Sequence, residues 1–269
     1  MLPALKSRLK KVLPDAAYQF LRVFRLKDLS ACTSFLCDAS LGLPFIGRAR
    51  LLARLYAVSF AVESPHTQDE ILEYVKTILS LPRDRAGRIV EAGCFKGSST
   101  AKFSLAAELA DKELVVFDSF RGIPRNDEPH DRGRVGGPAR FKEGQYRGTL
   151  EEVRANVARL GRIDRCRFIE GWFDETMPAF PEPICAAYID VDLAASTRTC
   201  LKYLYPLVVP GGVLFSQDGH LPLVVDVLDD DEFWLREVGC DKPRMAGLRE
   251  KKLVRIFKEG RPGPASRHA

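Results

Sequence analysis

From about residue 67 onward the chain alternates between two kinds of hydrophobic pattern. Short, largely apolar runs at 88–93, 114–118, 166–170, 184–190 and 213–217 read as strands, with Ile89 and Val90 at the end of a buried one. Between them, apolar positions recur at helical spacing over 69–80, 98–110, 149–160, 196–208 and 222–235. Thr67 or Ser64 is placed to cap the first of these helices. Two last strands, near 236–240 and 252–258, are joined by a loop instead of a helix. This order predicts an α/β fold: a doubly wound parallel sheet with an antiparallel hairpin at one edge. Residues 121–148 break the rhythm as a polar, Gly- and Pro-containing loop, too long for a simple connector.

The first 60 residues follow a different rule. Leu2, Leu5, Leu9, Val12 and Leu13 recur at helical spacing, with Lys6, Arg8, Lys10 and Lys11 between them. Phe20, Leu21, Val23 and Phe24 extend the pattern beyond Pro14. Residues 1–60 are therefore expected to form a basic helical extension, 61–260 the main domain and 261–269 a disordered tail. The extension can cap the active site, pack on a partner subunit, or make peripheral contact with an anionic membrane surface.

Composition narrows the classes. The chain has 269 residues, 46% of them hydrophobic, enough for one large core. Its 41 basic and 36 acidic residues leave a net charge of only +5, too small a bias to call for nucleic acid. The seven cysteines contain no CxxC pair, and Cys166 and Cys185 fall in apolar runs. They read as core residues of a reduced, cytoplasmic protein, consistent with the lack of a membrane-length apolar run or signal-peptide core. A homo-oligomer is expected.

Chemistry concentrates where strands end. Open α/β sheets bind ligands at the carboxyl ends of their strands. The first strand ends in Glu91-Ala-Gly93-Cys-Phe95-Lys-Gly97, and Ser98, Ser99 and Thr100 then open a helix. Such a turn presents backbone N–H groups to a ligand. Phe95 stands where a dinucleotide fingerprint needs glycine, so a pyrophosphate could not approach the backbone. The second strand ends at Asp118-Ser119, with a carboxylate suited to ribose hydroxyls, and the third at Gly171-Trp172, with a ring suited to an adenine face. The fourth ends in Asp190-Val-Asp192, and the fifth in Gln217-Asp218-Gly-His220.

Glu91-x-Gly93-x-x-x-Gly97 resembles the first motif of the class I methyltransferases, which bind S-adenosylmethionine (SAM). The resemblance extends through Phe117-Asp-Ser-Phe-Arg-Gly-Ile-Pro124, Gly171-Trp-Phe-Asp-Glu-Thr-Met-Pro178, Ile189-Asp-Val-Asp-Leu193 and Leu204-Tyr-Pro-Leu-Val-Val-Pro-Gly-Gly212. Together these resemble the macrocin O-methyltransferase family, which methylates sugar hydroxyls. The resemblance implies a Rossmann-like class I methyltransferase sheet. It assigns SAM to Glu91, Gly93, Phe95, Gly97, Ser98, Ser99, Asp118, Ser119, Gly171, Trp172 and Asp190. It also implies a divalent cation, Mg²⁺ or another, at Asp190, Gln217 and Asp218. Gln217 stands where the family has a carboxylate, leaving two carboxylates and an amide oxygen for the metal.

The expected reaction is methylation of a hydroxyl on a sugar or other polyhydroxylated small molecule, natural product or glycan. Asp190 and His220 are the expected catalytic residues. His220 can serve as a general base or a further metal ligand, or be a solvated loop residue. Loop 121–148, with Arg121, Arg125, Arg132, Arg134, Arg140 and Lys142, is expected to act as a lid, its charges facing an acidic acceptor or simply solvent. The alternatives are a metal-independent or N-methylating relative and a non-catalytic SAM-binding scaffold subunit.

Overall fold

The computed structural model describes residues 28–130 and 140–259, with Val23, Arg25 and Leu26 ahead of them. The basic repeat over 2–13, the positions 131–139 and the tail from 260 lie outside the described residues. The parallel strands are β1 (Arg88–Ala92), β2 (Leu114–Asp118), β3 (Cys166–Glu170), β4 (Ile184–Ile189) and β5 (Val208–Ser216). Two short strands, β6 (Met245–Ala246) and β7 (Val254–Phe257), complete a seven-stranded sheet of order β3-β2-β1-β4-β5-β7-β6. Strand β7 pairs antiparallel with both β5 and β6. This is the Rossmann-like arrangement that the alternating pattern predicts.

The helices are α1 (Asp28–Cys37), α2 (Phe45–Ala61), α3 (Gln68–Leu79), α4 (Ser98–Leu109), α5 (Leu150–Leu160), α6 (Ala194–Leu204) and α7 (Pro222–Asp229). Adjacent strand residues point to opposite faces of a sheet. Accordingly Ile89, Val116, Ala186 and Phe215 enter one core, while Val90, Val115, Ala187 and Leu214 enter the other. The first core is closed by α3, α4 and α5. It also receives Phe35 from α1 and Leu51, Leu55 and Val58 from α2. Helix α4 lies deep in this layer, with Ser98 through Ala107 all buried. The second core is closed by α6, α7 and the fully buried Trp234.

Thr67 is the residue that caps α3, and its backbone N–H donates to Glu70 Oε2 at 3.0 Å. Three expectations need correction. The expected strand at 236–240 is a wide helical turn, Trp234–Val238, held by burial of Trp234 against Tyr205. The hairpin uses Met245–Ala246 instead. The expected helix 222–235 is broken at Asp230, whose side chain accepts the N–H groups of Glu232 and Phe233 and starts a new turn. Strand β5 begins at Val208, ahead of the expected 213, and its pairing with β4 shifts register before Val213.

Candidate active site

The sheet order reverses direction at β1, whose neighbours are β2 and β4. A crevice at that switch point is the expected ligand site. A cavity of about 260 Å³ opens there, lined from β1 by Gly93, Cys94 and Phe95 and from β4 by Asp190, Val191 and Asp192. Gly93 has φ +83°, and an added Cβ would lie 2.0 Å from the Asp190 carbonyl oxygen. The glycine therefore lets the ends of β1 and β4 meet, besides turning the chain.

One half of the cavity carries most of the residues expected to hold SAM. Ser98 Oγ is buried, lines the cavity and has no hydrogen-bond partner among the described residues. With Ser99 beside it at the start of α4, it suits a carboxylate. Ser119, Gly171 and Trp172 line the same wall, as expected. Asp118 also lines it, but its carboxylate is partly committed. Oδ2 accepts the Cys94 N–H at 2.7 Å and Oδ1 accepts the Phe120 N–H at 2.7 Å. Burial pushes the Asp118 carboxyl up against those hydrogen bonds.

Two of the expected cofactor residues do not reach the cavity. Gly97 has φ +80° and caps α4; a Cβ there would meet Val153 of α5 at 3.0 Å. Glu91 is fully buried behind the turn, and its Oε2 accepts from Thr100 Oγ1 at 2.6 Å. Burial pushes its carboxyl up to about 8, against the Ser99 and Thr100 hydroxyls that favour the anion. Both positions shape the turn and do not line the ligand space.

The other half gathers charge. Asp190, Asp192, Asp218, His220 and Lys252 line it, together with Ser64 and His66 from the segment joining α2 to α3. Asp218 Oδ2 accepts the N–H groups of Val191 and Asp192 at 3.1 and 2.9 Å. Burial and the neighbouring Asp190 charge push the Asp218 carboxyl up to about 7. Asp192 sits at φ +59°, and burial with the charges of Asp218 and Asp190 raises its carboxyl well above the usual range. Burial also disfavours an Asp190 anion, but His66, together with Lys252 and His220, outweighs it and holds that carboxyl low. His66 Nε2 lies 2.7 Å from Asp190 Oδ2.

The expected metal set does not come together. Gln217 is completely buried and turned into the wall: its Oε1 accepts from Tyr188 Oη at 2.7 Å, and its Nε2 donates to Glu70 Oε2 at 2.9 Å. Tyr188 on β4 and Glu70 on α3 thus use both ends of the amide. Asp190 and Asp218 do line the cavity, but among the described residues no group of three or more His, Cys, Asp or Glu side chains is arranged to hold a metal.

The sequence does not single out His66 or Lys252, and it offers Ser64 only as a candidate helix cap. A helix that feeds a parallel strand runs back against it, so the residues just before α3 lie at the carboxyl edge. Antiparallel β7 likewise starts at that edge, with Val254 opposite Ser216 and Lys252 just before it. Asp192 carried a readable signal, since it stands at the same strand end as Asp190.

The loop after β2 closes over the cavity through Ile123, Pro124, Phe141 and Tyr146. Its neck is paired at Ile123 N to Gln145 O, 2.8 Å, and Gly144 N to Ile123 O, 2.9 Å. Glu128 accepts the Ala194 and Ala195 N–H groups at the start of α6, each at 2.8 Å. Of the basic loop residues, Arg121, Arg125, Arg140 and Lys142 do not line the cavity, and Arg132 and Arg134 lie outside the described residues. No described helix is long and apolar enough to cross a membrane.

Fold and cavity define a class I, SAM-dependent methyltransferase, and comparison with known proteins narrows it. The family model for Macrocin-O-methyltransferase (TylF) matches residues 69–230. The chain belongs to this family. A 4'-O-methyltransferase of 8-demethyl-8-(2,3-dimethoxy-alpha-L-rhamnosyl)-tetracenomycin-C from Streptomyces olivaceus is 32% identical over 192 residues, covering 67% of this chain and 71% of the relative. Mycinamicin III 3''-O-methyltransferase from Micromonospora griseorubida is 32% identical over 143 residues, covering 51% of this chain and 56% of its own length. The fold matches the structure of the O-methyltransferase NovP with a TM-score of 0.52 at 23% identity, covering 81% and 82% of the two chains. It matches CalS11, a calicheamicin methyltransferase, with a TM-score of 0.54 at 18% identity, covering 87% and 93%.

Proposed function

We propose that this enzyme methylates a hydroxyl group on a sugar or similarly polyhydroxylated small molecule. The carrying observation is the cluster of Asp190, Asp192 and Asp218 beside the Gly93 turn, in one cavity with the serine-lined SAM half. The relatives' names support the acceptor class, since one acts on a rhamnosylated tetracenomycin and another on mycinamicin III.

When bound, SAM supplies a methyl group on a sulfonium, open to in-line displacement. An alkyl hydroxyl is a weak nucleophile, so the protein must orient it and take its proton. In-line displacement by the acceptor oxygen would break the carbon–sulfur bond and leave its electron pair on sulfur, with Ser98, Ser99, Ser119 and Trp172 the residues that would hold SAM. The hydroxyl proton passes to a carboxylate of the cluster. Asp192 is suited to receive it, because burial and like charge raise its affinity for a proton. Asp190, kept anionic by His66, and His220 complete the polar wall. Gln217 faces away from the cavity and takes no part in these steps.

The test is direct. Purified protein is incubated with SAM and a panel of deoxysugar glycosides, phenols and amines, and products are identified by mass and NMR. O-methylation of a glycoside is expected. Transfer confined to amines would overturn the reading, as would SAM binding without transfer to any acceptor.

A further inference from the structure

Besides lining the cavity, the segment between α2 and α3 forms a hydrogen-bonded chain. The His66 side chain is only 4% exposed. Its Nε2 meets Asp190 Oδ2 at 2.7 Å, and its Nδ1 meets Ser64 Oγ at 3.3 Å. The Ser64 Oγ also accepts the His66 backbone N–H at 3.2 Å. An anionic carboxylate only accepts, so Nε2 donates to Asp190, and Nδ1 pairs with the Ser64 hydroxyl. The ring stands edge-on to Tyr188, 5.9 Å between centroids at 85°. Tyr188 in turn holds Gln217, and Gln217 holds Glu70 of α3. Two polar chains therefore run from the start of α3 to the ends of β4 and β5, and each uses an atom expected to face a cation.

A bound divalent ion needs several oxygen atoms converging on one point. Here Asp190 gives one oxygen to His66, Asp218 Oδ2 receives two backbone N–H groups, and Gln217 Oε1 receives the Tyr188 hydroxyl. Lys252 lines the same end of the cavity and places a fixed positive charge beside the carboxylates.

We propose that His66 is a positioning residue that fixes Asp190 toward the acceptor in place of a divalent cation, so that methyl transfer by this chain is metal-independent. The proposal rests on the O-methyltransferase reading above for its kinetic consequence, but not for its structural one. The structural consequence is that removing His66 frees an Asp190 oxygen beside Asp192 and Asp218, and so creates an affinity for cations that the natural chain lacks.

The test uses full-length protein, with Mn²⁺ alone as the probe, followed by electron paramagnetic resonance. Wild type is expected to take up no stoichiometric Mn²⁺, and His66→Ala to take up a single ion. In turnover assays, wild type should be unaffected by EDTA. His66→Ala should lose about a hundredfold in kcat, the scale of a misplaced reacting group, with SAM affinity retained. His66→Gln, whose amide N–H can still donate to Asp190, should recover much of that loss, which a packing role alone would not produce. If His66→Ala does not fold, His66→Gln and His66→Asn carry the comparison. Stoichiometric Mn²⁺ on wild type would overturn the proposal, as would EDTA inactivation reversed by Mg²⁺, or unchanged kcat in His66→Ala. Should wild type methylate no acceptor, the acceptor reading fails, while the Mn²⁺ titrations still decide the role of His66.

Discussion

The two ends of one sheet carry charge in opposite ways. At the amino edge, Arg88 and Arg167 both pair with Glu113 and Glu182, and all four side chains are 25–44% exposed. There each charge has an opposite neighbour and water. At the carboxyl edge, Glu91, Asp118 and Asp218 are raised by burial, and Asp192 by burial and its acidic neighbours. Their partners are mostly backbone N–H and hydroxyl groups. Exposed pairs contribute little to stability, whereas buried like charges are costly and persist where they have work to do. The contrast locates the chemistry independently of any motif.

The comparison can be broken most severely at Gly93. Gly93→Val would drive a side chain into the Asp190 carbonyl, and urea unfolding should show a loss of about 4 kcal/mol. Wild-type stability would mean that the ends of β1 and β4 do not meet as described. Next is Asp190→Asn, which removes the anion that His66 holds. Its kcat should fall about a hundredfold, while calorimetry finds SAM affinity little changed. A matching loss of SAM affinity would move Asp190 from the acceptor half to the cofactor half.

Asp118→Ala should weaken SAM binding by about 1–3 kcal/mol in the same calorimetric assay. Because it also frees the Cys94 and Phe120 N–H groups, its unfolding curve must be measured alongside. A smaller effect, with a distinctive pH dependence, belongs to Glu91. Its carboxyl is near 8 in the folded chain against an ordinary 4.5. The folded state therefore holds a proton that the unfolded chain releases, and this contribution is complete below pH 4.5 and lost as pH rises toward 8. Glu91→Gln stays neutral, so its stability relative to wild type should rise by about 2 kcal/mol between pH 5 and pH 6.5. A pH-independent difference would remove Glu91 from the comparison. At the other edge, Arg88→Ala should cost under about 1 kcal/mol and leave turnover unchanged.

Much of the architecture was legible because parallel strands buried on both faces must be apolar throughout. The run at 114–118 coincides with the buried strand β2 to the residue, and 166–170 with the partly exposed edge strand β3. Legibility failed where a large side chain overrode local pattern, as where buried Trp234 turned an expected strand into a helical turn. In the site, strand ends pointed to Gly93, Asp118, Asp190 and Asp218, all of which line the cavity. Glu91 and Gln217 stand at equally suggestive positions but face inward, because side-chain direction depends on partners such as Thr100 and Tyr188, and Gly97 packs closely against Val153.

The sequence by itself determined the class of fold, the strand ends that bear the ligand residues and the family, since periodicity, glycine and strand-end residues act through local geometry. Only the tertiary structure decided which charges meet. His66 and Asp190 lie 124 positions apart, and Lys252 reaches the same cavity only because β7 runs antiparallel. Contacts of that kind arise from how helix α3 and strand β7 dock on the sheet, a long-range packing outcome with no periodic trace along the chain.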